Sequence, residues 1–266
     1  MTEQRKRVIS RLSEYIASEF SLGNITSLQE IIKFEELYLH YDNYENAFDG
    51  MLVSVEDDFH IHINTNLGNT EESKRGRFTL AHELGHFFID EHRINLKSGK
   101  TEPHGSFHGK ERKEPIEIEA DYFASCLLLP EKKLRSCSGA KKFSLETINS
   151  LSNAFQASIP ATIIRFSEVG THNIMAIFSR DNVPLWYVKS NDFPSWPFKF
   201  RIGQKLPPTS VSGEFFTKQD SKYTGVEKVS ADDWFYPKDK RGDKQMYEQC
   251  YYSNSYGYVI SILWFD

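Results

Sequence analysis

The sequence predicts an α+β protein. A mainly helical amino-terminal part holds a small antiparallel sheet, a helix-turn-helix-like segment follows, and a separate β-rich or α/β domain completes the chain. Three observations predict this. Apolar residues recur at helical spacing over several stretches between residues 3 and 168. Two short strand-like runs, the second of them alternating, flank an acidic turn at residues 56–58. Beyond residue 171 strand-like runs are punctuated by prolines and tryptophans. The expected boundaries are 1–140, 141–170 and 171–266.

Residues 3–20 carry Val8, Ile9, Leu12, Tyr15, Ile16 and Phe20 at helical spacing, and Gly23-Asn24 ends the run. Residues 27–39 read as a second helix through Leu28, Ile31, Ile32 and Leu39. Met51–Val55 and Phe59–Ile63 then form a hairpin about Glu56-Asp57-Asp58. In its second strand Phe59, Ile61 and Ile63 alternate with His60 and His62, so the histidines face away from the apolar side. They are expected as exposed strand histidines, with a position beside a peptide-binding edge strand as the alternative.

The next segment, Arg77-Phe78-Thr79-Leu80-Ala81-His82-Glu83-Leu84-Gly85-His86, holds His-Glu-x-x-His in a helical run. On a helix the two histidines share one face and can grip one metal ion, and Glu83 can work on a water molecule there. That is the chemistry of zinc-dependent peptide hydrolysis. The apolar flank, Phe78, Leu80, Ala81, Leu84, Phe87 and Phe88, predicts a mostly buried helix. Two histidines and a glutamate buried there need partners, and metal ligation supplies them. Gly85 lets another backbone come close.

A catalytic zinc site takes three protein ligands and keeps its fourth position open. Residues 115–129 form the next expected helix, with Pro115 in its first turn and Pro130 stopping it. Glu117 and Asp121 share a face, with Ala120, Phe123, Ala124 and Leu127 on the buried side. Glu117 is the candidate third ligand and Asp121 the acceptor for the free ring N–H of a ligating histidine. Glu119 competes with Glu117, but the two lie about 200° apart around a helix and cannot both face the metal.

These residues, with Leu127-Leu128-Leu129-Pro130, resemble the ImmA/IrrE family of metallopeptidases over about residues 60–168. The likeness is weak before that stretch and absent as a motif after about residue 170. The resemblance implies a zincin-like core of the gluzincin kind and Zn²⁺ as cofactor, with Mn²⁺ a possible substitute in vitro. It also implies His82, His86 and Glu117 as ligands and Glu83 as general base. Such proteins are bacterial and phage regulatory proteases that cut a helix-turn-helix repressor encoded beside them, releasing stress-response, mobile-element or defence genes.

Composition narrows the rest. A net charge of −5 gives no global attraction to nucleic acid or acidic membranes. No apolar run is long enough to span a bilayer, and the start of the chain lacks a signal-peptide pattern. Cys126, Cys137 and Cys250 are odd in number and read as reduced thiols of a cytoplasmic protein.

The remaining segments are expected as follows. Residues 91–114 form a polar loop with His92, His104 and His108, which with Tyr122 are candidate oxyanion donors. Leu145, Ile148, Leu151 and Phe155 mark one helix and Ile159, Ile163, Ile164 and Phe166 another, but Arg165 alone is basic there, so groove reading is not implied. Residues 171–266 suit a sensor-like or regulatory domain. Ser195-Trp196-Pro197-Phe198-Lys199-Phe200-Arg201 reads either as core or as a stacking platform for single-stranded DNA. Two rival functions are therefore carried forward: a protein that sequesters the repressor uncut, and a single-stranded nucleic-acid-responsive sensor with a structural zinc.

Overall fold

The computed structural model describes residues 1–107, 114–139, 142–215, 224–237, 245–253 and 257–265. His108, one of the loop histidines, lies outside them. The chain divides into two compact units. One comprises Met1–Leu134 and Ser150–Thr162, the other Arg135–Asn149 and Ile163–Asp266. The architecture is α+β.

The first unit opens with α1 (Glu3–Glu19), capped by the Thr2 hydroxyl, which accepts from the Arg5 N–H. Ile9, Ser13, Ile16 and Ala17 form its buried face, whereas Val8 and Tyr15 are exposed. The short strands β1 (Ser21–Leu22) and β2 (Ile25–Thr26) pair across Gly23-Asn24, where Gly23 has a φ of 63°. Helix α2 spans only Leu28–Phe34. Expected to reach Leu39, it stops because Glu36 turns to a φ of 54°, and the chain then extends as β3 (Tyr38–Asp42). Leu39 thus lies in a strand.

β4 (Gly50–Val55) and β5 (Asp58–Asn64) form the expected antiparallel hairpin. The sheet is mixed rather than purely antiparallel, because β3 joins β5 in parallel. The order β3-β5-β4 makes β5 the central strand, so His60 and His62 are not on an edge. Phe59, Ile61 and Ile63 are buried, and His60 and His62 lie half-buried on the opposite face. There they stack with neighbours from β3: Tyr38 on His60 at 4.7 Å and His40 on His62 at 4.8 Å between ring centroids.

A single 3₁₀ turn at Thr65–Leu67 leads to α3 (Lys74–Phe88), the motif helix, capped by Ser73 Oγ on the Gly76 N–H at 2.8 Å. α4 (Asp90–Lys97) follows at once, with Asp90 and Glu91 in its first turn. The expected polar loop is therefore helical over its first part, because acids at a helix start favour the macrodipole. α5 (Pro115–Leu128) has proline in its first turn and ends before Pro130. α6 (Glu131–Ser138), α7 (Leu145–Ala154) and α8 (Ile159–Val169) are each divided between the two units. Gln156, at a φ of 50°, makes the turn between α7 and α8.

The second unit is built on a five-stranded antiparallel sheet in the order β7-β6-β10-β9-β8. Its strands are β6 (Ile174–Arg180), β7 (Val183–Lys189), β8 (Glu227–Ser230), β9 (Gln245–Ser253) and β10 (Tyr258–Trp264), with short helices α9 (Val211–Phe215) and α10 (Ala231–Trp234). Of the two alternatives the sequence left open, the structure takes the β-rich one. Phe193, Phe200, Trp234, Phe235 and Met246 form its core, with Trp196 and Phe198 packed against it. Of the aromatic rings of the Ser195–Arg201 segment, Phe200 is thus a core residue, only 5% exposed, and Trp196 and Phe198 pack half-buried against that core. Arg165 is buried and pairs with Glu168 at 3.3 Å, so it presents no charge for reading DNA.

Candidate metal centre

Helices α3 and α5 cross where Gly85 meets Ala120. A methyl group at Gly85 would sit 3.1 Å from the Ala120 Cα and 3.2 Å from its carbonyl oxygen. This close approach brings Glu117 over the paired histidines of α3. His82 Nε2 lies 3.2 Å from His86 Nε2 and 3.4 Å from Glu117 Oε2, and His86 Nε2 lies 3.1 Å from Glu117 Oε1. Ligands about 2.0–2.1 Å from a tetrahedral ion are about 3.3 Å apart, so these spacings suit one ion of zinc's size and ligand preference. His82, His86 and Glu117 form the only group of three or more potential ligands this mutually close among the described residues. His82 is 1% and His86 6% exposed, which makes an unsatisfied ring nitrogen expensive there.

Asp121 lies 2.9 Å from His82 Nδ1. Burial alone would lower the pKa of His82, but the bonds to Asp121 and Glu117 raise it to about 10. Burial lowers that of His86 to about 4. For Glu117 burial acts upward, yet hydrogen bonds from His104, His82 and His86 hold the carboxyl well below the usual range. The carboxylates of Asp121 and Glu117 favour the protonated form of His82, and a divalent cation would take that proton's place.

Glu119, the competitor, turns elsewhere. It takes two bonds from Arg5 of α1, at 2.9 and 2.6 Å, and lies 3.2 Å from His92 Nε2. Tyr122 lies beneath the Lys6 ammonium, 5.7 Å from its ring centre. His92, on α4, has its ring 5.2 Å from that of His86.

Glu83 is buried beside the group. Burial raises its pKa to about 7, against the lowering effects of His82 and of a hydrogen bond from Ser106. Ser106 Oγ donates to Glu83 Oε1 at 2.6 Å, and Gly50, first residue of β4, has no side chain to crowd this oxygen. A Cβ at Gly50 would lie 2.6 Å from Glu83 Oε1. The strand beside the motif is therefore β4. A buried polar network sets its start: Arg75 Nη2 and Asn69 Nδ2 both bond Asp49 Oδ1, at 2.6 and 2.9 Å. Sequence reasoning named neither Ser106 nor Gly50, since no local pattern marks contacts made 23 and 33 residues from the motif. His104, a named candidate, does reach the group, with Nε2 2.8 Å from Glu117 Oε1.

Helix, histidine pair and carboxylate together make a group that could hold a metal ion. Residues 54–167 match the family model Peptidase M78, described as the IrrE N-terminal-like domain, in line with the resemblance to the ImmA/IrrE family. A solved structure described as a Mycobacterium tuberculosis transcriptional regulator is similar in fold, with a TM-score of 0.58 at 11% identity, over 98% of this chain and 78% of that one. No curated protein matches the chain. Among the described residues, no helix is long and apolar enough to cross a membrane.

Proposed function

We propose that the protein is a zinc-dependent regulatory endopeptidase with a zincin-like core, cutting a cognate helix-turn-helix repressor in the cytoplasm. The observation that carries this reading is the buried Glu83 adjoining a group of His82, His86 and Glu117 at ligand spacing. His82, His86 and Glu117 hold the ion, and Asp121 orients His82. Bound zinc supplies Lewis-acid polarisation of the scissile carbonyl and makes water a better acid. Glu83 takes the proton from the attacking water and delivers it to the leaving amine.

The repressor as substrate rests on the family resemblance, and a transcription-regulatory setting agrees with the name of the structural neighbour. Sequestration without cleavage, or a purely structural zinc, leaves a buried carboxylate beside the ligands with no task. An activating ligand, single-stranded DNA included, acts outside the metal group in this reading.

Metal content tests the centre. Wild type and Glu83→Gln should each bind one zinc per chain, and His86→Ala should bind none. Full occupancy in His86→Ala would defeat the ligand assignment.

A further inference from the structure

Gly105 and Ser106, between α4 and α5, are seated in the first unit by their backbone. Ser106 N–H donates to the Gly50 carbonyl at 2.9 Å, and Asp49 N–H donates to the Ser106 carbonyl at 2.8 Å, forming an antiparallel bridge on β4. Ser106 is 3% exposed. Gly105 packs directly on Phe48, since a Cβ there would lie 2.5 Å from the Phe48 Cβ. These contacts fix the residue before them, His104, whose Nε2 lies 2.8 Å from Glu117 Oε1. His104 is not one of the mutually close ligand atoms, and its side chain is 39% exposed.

We propose that His104 is a positioning residue of the metal centre, acting through Glu117. A glutamate carboxylate sits on three rotatable bonds and rotates freely unless something holds it. The two histidines approach it from α3, whereas His104 reaches it from a different element, the anchored segment. With its Nε2 donating to Glu117, His104 keeps the carboxylate turned toward His82 and His86. The ligand set is thereby preorganised before the ion arrives, and groups that hold a ligand in this way typically contribute 10–100-fold to metal affinity. This inference rests on Glu117 being a ligand.

Zinc affinity of the full chain, measured by competition with a chromophoric chelator, tests it, together with the visible spectrum of the Co²⁺-substituted protein. His104→Ala should weaken zinc binding by about 10–100-fold and perturb the Co²⁺ bands. Its metal-free form should still melt cooperatively, only a few degrees below wild type through the lost bond to Glu117, which separates positioning from loss of fold. His104→Gln, which keeps a donor, should recover much of the affinity. Wild-type affinity and bands in His104→Ala would overturn the proposal. So would a far larger loss that Gln does not rescue, since that marks direct ligation. A wild-type protein that binds no zinc would instead remove the proposed function beneath it.

Discussion

Asp121 Oδ1 lies 2.9 Å from His82 Nδ1, one helical turn beyond Glu117 on the same face of α5. The contact fixes the ring so that Nδ1 carries the proton and Nε2 points toward His86 and Glu117. One helix thus carries both a candidate ligand and a carboxylate within hydrogen-bond distance of another.

Removing that orienter should loosen the ring without removing a ligand. Asp121→Ala should weaken zinc binding by about 10–100-fold, and Asp121→Asn, which still accepts a hydrogen bond, should lose much less. Chelator competition measures both. Equal affinities in all three proteins would mean that Asp121 does not orient His82.

The two glutamates of α5 should separate cleanly. Glu117→Gln should abolish tight zinc binding. Glu119→Gln should leave zinc affinity at the wild-type value and cost about 1 kcal/mol of stability through its bonds to Arg5. Inverted results would transfer the ligand role to Glu119.

The crossing of α3 and α5 should tolerate no added bulk. A Cβ at Gly85 would already press on the Ala120 backbone and on Phe123 Cβ, at 3.3 Å. Gly85→Val should therefore destabilise the protein by about 1–3 kcal/mol and weaken metal binding by moving Glu117 away from the histidines. Denaturant unfolding and chelator competition read the two effects. A variant as stable as wild type would show that the helices have room to spare.

Glu83 should make the metal-free protein sensitive to pH. Burial raises its folded pKa to about 7 from the ordinary 4.5 of a glutamate in an unfolded chain. The folded state therefore binds this proton more tightly than the unfolded chain does. The stabilising contribution is fully present below about 4.5 and is lost as pH rises through about 7. Chelator-treated Glu83→Gln should melt a few degrees above wild type at pH 8, with the gap closing near pH 4.5. A gap of the same size at both pH values would exclude titration of Glu83 as its cause.

What was legible in the sequence was what local spacing encodes. His82, Glu83 and His86 sit on one buried turn, and Glu117 with Asp121 repeats that interval on α5, so both helices and their shared face could be read directly. The hairpin of β4 and β5 followed from alternation about an acidic turn. Segments in which local and long-range forces compete were misread. Glu36 adopts a left-handed conformation that side chains seldom take, so α2 ends early and Leu39 enters β3. Helix α4 is polar on most of its surface and resembled a loop. Strand β9 lacks a clean apolar alternation because Glu248 occupies an inward position between Met246 and Cys250. It is held there by Trp234 Nε1 at 2.8 Å and by the N–H groups of Val211 and Ser212. Ser106 and His104 reach the centre only through the backbone bridge to Gly50, which no short-range pattern announces.

The most direct test of the central claim is intact-mass analysis of the protein mixed with the helix-turn-helix protein encoded beside its gene. The account predicts two fragments summing to the repressor plus one water with zinc-loaded wild type. It predicts none after chelation and none with zinc-loaded Glu83→Gln. Fragments formed equally by Glu83→Gln, or a stable uncut complex with zinc-loaded wild type that persists when single-stranded DNA is added, would contradict it.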